Sequence, residues 1–148
     1  MTIEYVSHQY TIRAALFFET RFDGPVLVTQ DAIVFAGKAR TGQLMGTVLG
    51  PAATVALAAA EALALNTISE GKVRFSDLPL EFQQHPSIQR INCQDVIIVP
   101  RTAVQKIWMN RFNAHIKTSA RVYKIYAGLF GIKHKKVCAA LERTGWLT

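Results

Sequence analysis

From Val96 to Leu141 the chain contains no aspartate or glutamate, yet it carries nine basic residues. They are Arg101, Lys106, Arg111, Lys117, Arg121, Lys124, Lys133, Lys135 and Lys136. Trp108, Phe112, Tyr123, Tyr126 and Phe130 stand among them. Short runs in which β-branched and aromatic residues alternate with polar ones are the pattern of strands with one face in a core and one in water. Asp95–Val99 (DVIIV) therefore reads as a buried strand ending at Pro100. Ala103–Phe112, Ala114–Ser119 and Arg121–Leu129 read as three more. The connections at Asn113 and Ser119-Ala120 are short, so a meander is the economical arrangement. In the Ala114–Ser119 strand, Ile116 faces opposite His115 and Lys117. Lys133–Arg143 reads as a closing helix with Val137, Ala140 and Leu141 on one face. Gly145 is placed to end it as the residue after the last turn, with Trp146-Leu147 folding back on the core.

The charge is lopsided. Residues 1–66 hold four basic and five acidic residues, a net of −1; residues 67–148 hold thirteen basic and five acidic, a net of +8. A field concentrated in this way attracts anions: nucleic acid, anionic lipid headgroups or an acidic protein. With 148 residues, half of them hydrophobic, the chain is expected to form one domain with a substantial core. Cys93 and Cys138 are too few for a disulfide framework and lack zinc-ligand spacing, which suits reduced thiols in the cytoplasm. The N-terminal MTIEYVSHQY has neither a basic nor an apolar leader region, so no signal peptide is expected there.

In the first part, Tyr10–Phe18 reads as a strand that Glu19–Phe22 extends, and Asp23-Gly24-Pro25 as a turn. Val26–Thr29 is a second strand, Gln30-Asp31 a tight reversal and Ala32–Ala36 a third strand. Gly37–Gly42 breaks the pattern. Further on, Lys72–Phe75 reads as a short strand. Ser76 is expected to cap a helix with Pro79 in its first turn, closed by His85-Pro86.

Leu44–Leu65 differs from the rest. It is rich in glycine and alanine and has one charge, Glu61. It is long enough to cross a bilayer, and Gly46 with Gly50 permits close helix contact. Against a membrane span, alanine gains little from burial, and Glu61 would cost roughly 2.5–3.5 kcal/mol at a helix centre in lipid. The expectation is an inserted helix over residues 44–66, starting near Pro51, that is buried or forms oligomers, with membrane association as the alternative.

The segment GPVLVTQDAIVFAGKA resembles the hairpin that opens bacterial PH-like and GRAM-like domains, with Gly24, Leu27, Thr29, Ile33 and Phe35 in the matching positions. Ala32 stands where that family often has arginine. The alanine-rich segment, then Ile91, Asp95 and Val96, then Ile116, Thr118, Tyr123 and Ile125 ahead of an amphipathic helix, continue the likeness over Phe18–Leu147. The resemblance implies an α+β fold: a strongly bent, seven-stranded antiparallel β-barrel or sheet capped by one C-terminal helix. Domains of this kind bind lipids, peptides or proteins and are not typically enzymes.

Three groups of cations are candidate anion sites. Lys133, Lys135 and Lys136, with His134, open the last helix, where cations oppose the macrodipole and cost stability. Lys106, Arg111, Lys117, Arg121 and Lys124 lie on the predicted meander; basic grooves with aromatics can hold single-stranded nucleic acid, although Trp108 and Tyr123 also suit a core. Lys38 and Arg40 follow the third strand. His8, His85, His115 and His134 have no partners at catalytic or metal spacing, and no nucleophile or phosphate-loop motif occurs. The expectation is a non-enzymatic module without metal or cofactor, cytoplasmic and open to membrane association. Its expected partner is an anionic membrane surface or an acidic protein, with nucleic acid or self-association through the alanine-rich helix as alternatives.

Overall fold

The computed structural model describes residues 2–15, 18–39, 71–89, 95–128 and 132–147. The alanine-rich stretch Leu44–Leu65, Arg40 and Cys93 lie outside these residues, and so do the expectations that rest on them.

Among the described residues, nine strands form one antiparallel sheet: β1 (Glu4–Ala15), β2 (Phe18–Val28), β3 (Ala32–Ala36), β4 (Lys38–Ala39), β5 (Lys72–Arg74), β6 (Asp95–Pro100), β7 (Val104–Met109), β8 (Asn113–Thr118) and β9 (Val122–Tyr126). Eight lie in the order β5-β6-β3-β2-β1-β9-β8-β7, and the two-residue β4 pairs with β2. The end strands β5 and β7 do not pair with each other, so the sheet is open rather than closed. Two one-turn helices, α1 (Leu80–Gln83) and α2 (Pro86–Gln89), precede β6, and α3 (Ile132–Arg143) follows β9. The fold is α+β with a C-terminal helix. The predicted meander at β7–β9 and the predicted β3 are present.

The first hairpin differs from the sequence reading. β1 begins at Glu4, and Phe18–Phe22 belongs to β2 rather than to the first strand. Asp23-Gly24-Pro25 is not a turn; it runs through β2. Gly24 is there for space. A Cβ on it would lie 2.0 Å from the Ala36 carbonyl oxygen and 2.4 Å from the Gly37 Cα. A Cβ on Gly37 would lie 2.5 Å from the Asp23 carbonyl oxygen. The two glycines let β2 cross the bend between β3 and β4. Pro25, which has no N–H to give, falls where the β1–β2 register shifts between Ser7 and Gln9. The reversal at Gln30-Asp31 is as expected, with Thr29 N donating to Ala32 O at 2.9 Å.

Ser76 does not cap a helix. Residues Phe75–Asp77 form a 3-10 turn, and α1 starts at Leu80 after Pro79. The proline forces this: Leu78 before it is extended, at φ −64° and ψ 147°.

Two apolar clusters hold the sheet. On its inner face Val6, Tyr10, Ile12, Phe35, Ile116, Tyr123 and Ile125 pack beneath Val137, Ala140 and Leu141 of α3. Within it Tyr10 stacks on Phe22 at 5.0 Å, and Phe35 on Tyr123 at 4.8 Å. On the opposite face of β2, β3 and β6, Leu27, Val34 and Val96 pack with Leu78, Phe82 and Ile88 from the α1–α2 region. These three strands are therefore buried on both sides, which is why they read as continuous apolar runs rather than alternating ones. Among the described residues, no such cluster lies on the outer face of β7, β8, β9 and the paired part of β1 and β2.

The end of α3 is locked to the β2–β3 turn. Gly145, at φ +78°, ends the helix. Trp146 folds back and its Nε1 donates to Thr29 O at 2.7 Å. Arg101 donates to Gln30 O, Thr144 O and Gly145 O, and its guanidinium lies 4.3 Å from the centre of the Trp146 ring.

A candidate anion-binding face

Strand alternation and register put a defined set of side chains on the outer face. Trp108 pairs with His115, His115 with Lys124, Lys124 with Thr11, and Thr11 with Arg21. That makes one row across five strands. The next row runs Lys106, Lys117, Val122, Arg13, Glu19. Among the described residues, Lys106, Lys117, Lys124, Arg13 and Arg21 thus share one face with the acids Glu19 and Asp23, and Lys38 is the register partner of Asp23.

The pairing on this face is partial. Lys124 Nζ lies 3.1 Å from Glu19 Oε1, and the Thr11 hydroxyl donates to the same oxygen at 2.7 Å. Partial burial alone would raise the Glu19 carboxyl, but the Thr11 hydrogen bond and the Lys124 ammonium outweigh it and hold the pKa below the ordinary value. Lys106, Lys117, Arg13 and Arg21 are exposed. An open cleft of about 520 Å³ crosses the same face, lined by Gln9, Thr11, Glu19, Arg21, Asn113 and Tyr126 among others.

The Trp108 ring on this face is already engaged. Trp108 lies flat on His115, at 4.8 Å and 7°, and Lys106 Nζ sits 5.2 Å from the Trp108 ring centre. His115 is 8 % exposed, and its Nε2 accepts from Asn110 Nδ2 at 2.7 Å. Burial, with Lys124 nearby, lowers its pKa. The imidazole is then neutral, as an accepting Nε2 requires.

The other described sequence candidates lie outside these two rows. Arg121 is a correction: it is 4 % exposed, and its Nη1 donates to Tyr123 Oη at 3.1 Å. It shares strand parity with Tyr123 and Ile125, both buried, and so points inward. Tyr123 is core, as its alternative reading had it. Arg111 is exposed in the turn between β7 and β8, and Lys38 is exposed on β4, in register with Asp23. Lys135 and Lys136 are exposed on α3, whose first turn also holds Lys133. His134 Nε2 donates to Asn110 O at 3.0 Å, which ties that first turn to the β7–β8 turn.

Arg13 and Arg21 were missed by the sequence reading. Counting charge by half of the chain placed them in a weakly acidic segment. Their alternation with Tyr10, Ile12, Thr20 and Phe22, all buried, is the signal that puts them on the outer face.

Among the described residues no group of three or more His, Cys, Asp or Glu is arranged to hold a metal ion, and no helix is long and apolar enough to cross a membrane. Comparison with protein-family models, curated proteins and solved structures finds no match.

Proposed function

We propose that this chain is a PH-like, non-enzymatic binding module that meets an anionic membrane surface through its basic outer face. The observation that carries this reading is that Lys106, Lys117, Lys124, Arg13 and Arg21 share one sheet face with Glu19 and Asp23, the acids on it among the described residues. Cations spread over a broad face suit a surface of many weak negative charges, each basic residue near such a membrane contributing about 1 kcal/mol. The PH-like part rests on the sequence resemblance over Phe18–Leu147. What supports it is an antiparallel sheet followed by one C-terminal helix.

Nucleic acid is the weaker reading. Sequence-tolerant binding of single strands uses open aromatic faces on which bases stack, whereas Trp108 has His115 on its ring and Lys106 over it.

Sedimentation with phosphatidylglycerol-containing vesicles tests the proposal. Binding should be lost with pure phosphatidylcholine vesicles and should weaken as salt rises, since exposed charges are screened beyond about 8–10 Å at physiological ionic strength. Equal binding to both vesicle types would sink the electrostatic mechanism. A mobility shift with single-stranded probes at low salt, without vesicle binding, would favour nucleic acid.

A further inference from the structure

Three large hydrophobic side chains among the described residues are exposed: Tyr5, Leu80 and Phe112. Their electrostatic surroundings differ. Tyr5 follows Glu4, and Leu80 lies between Asp77 and Glu81. An anionic bilayer would repel the carboxylates beside Leu80. Phe112 stands at the tip of the β7–β8 hairpin with Arg111 beside it, the guanidinium 5.6 Å from its ring centre. The hydrogen bond from His134 to Asn110 brings the first turn of α3, with Lys133, Lys135 and Lys136, to the same tip. No acid occurs in the turn Asn110–Asn113 or in α3 before Glu142.

The exposure of Phe112 is built into a fixed turn. Its N–H is bound by Asn110 Oδ1 at 2.9 Å, and its carbonyl accepts from Ala127 N at 2.8 Å. Asn110 Oδ1 also takes the Asn113 N–H at 2.7 Å. With both backbone groups held, the ring is presented outward, and rigid presentation lowers the entropic cost of contact.

We propose that this tip, formed by the β7–β8 turn and the first turn of α3, is the point at which the protein enters an anionic bilayer. Phe112 sits at the boundary of headgroups and acyl chains, and Arg111, Lys135 and Lys136 lie at the level of the phosphates. An aromatic ring amid cations is the combination that interfacial anchoring uses, apolar burial being added to headgroup attraction. The inference rests on the membrane reading above and goes beyond it by fixing which end of the molecule points inward.

The test places an environment-sensitive fluorophore on single cysteines, Phe112→Cys or Leu80→Cys, in a Cys93→Ser, Cys138→Ser background. Each is mixed with equimolar phosphatidylglycerol and phosphatidylcholine vesicles carrying a nitroxide quencher in the acyl region. The label at 112 should shift to the blue and be quenched, while the label at 80 stays aqueous. In the otherwise native protein, Phe112→Ala should weaken vesicle binding by about five- to tenfold, from the lost apolar burial. Its unfolding transition should not move. If the protein sediments with vesicles while the label at 112 stays aqueous, the tip is not the insertion point, and the membrane reading survives without it. If unlabelled wild type fails to sediment with these vesicles at low salt, the membrane reading falls and this inference falls with it.

Discussion

Trp146 and Trp108 are the two tryptophans of the chain, and the structure assigns them opposite roles. Trp146 is 6 % exposed and its indole N–H is bound by the carbonyl of Thr29, itself 1 % exposed. Trp146→Phe removes the donor and leaves that carbonyl in an apolar site. An unsatisfied buried acceptor costs about 1–3 kcal/mol. The smaller ring forfeits some apolar burial and part of the contact with Arg101, adding about 0.5–1 kcal/mol. The sum, about 1.5–4 kcal/mol, corresponds for a domain of this size to a fall in Tm of roughly 3–16 °C. Trp108→Phe keeps a flat ring on His115 at a half-exposed site and should cost no more than about 0.5 kcal/mol. Thermal and urea unfolding of both variants decides the matter. A Trp146→Phe protein that melts with wild type, or a Trp108→Phe protein that loses as much, would refute the assignment of Trp146 as the peg joining α3 to the β2–β3 turn.

Gly24→Ala would drive a methyl group into the Ala36 carbonyl and Gly37; with backbone on both sides the cost should reach about 3 kcal/mol or more, seen as lost soluble expression or a much lower Tm. His115 has a lowered pKa in the fold, so between its ordinary value and that lowered value the unfolded chain binds the extra proton. Stability should therefore fall as pH drops below about 6.5, and a His115→Phe variant measured by urea unfolding across pH 5 to 7 should lose much of that slope. Glu19 behaves as a lowered carboxylate: its contribution is complete above the ordinary glutamate pKa and disappears as pH falls through the folded value. Glu19→Gln should accordingly show a shallower acid limb than wild type, and an identical acid limb would count against the Thr11–Glu19–Lys124 arrangement.

The strands from Asp95 to Tyr126 and the helix after them were legible because each is a short run whose period matches its environment. Val137, Ala140 and Leu141 were placed inward by helical spacing alone, and they are buried. The first hairpin was not legible. Asp-Gly-Pro has the chemistry of a turn, but here the glycine serves a crossing with Ala36 and Gly37 that lies far along the chain. Arg121 was misassigned although the signal was available, since it falls on the same side as Tyr123 and Ile125. The outer face was half visible: the cations of β7 to β9 stood out as a run free of acids, whereas Arg13 and Arg21 join them only through the β1–β9 and β1–β2 registers. The proximity of Arg111 to the lysines of α3 depends on a single contact between Asn110 and His134, which no periodicity announces.

β1 is paired on one side with β2, its immediate successor, and on the other with β9, where Tyr10 meets Ile125. As the chain is synthesised, the first hairpin can form early, yet the second edge of β1 must wait until Val122–Tyr126 has been made. Through that interval Tyr10 and Ile12 have neither the β9 ladder nor the α3 lid over them, and an unpaired edge beside exposed apolar residues invites association with other chains. Contacts of such long sequence separation also form slowly. The central strand of the sheet is thus the first to be made and among the last to be completed, and a chain interrupted before Val122 would leave that edge open for good.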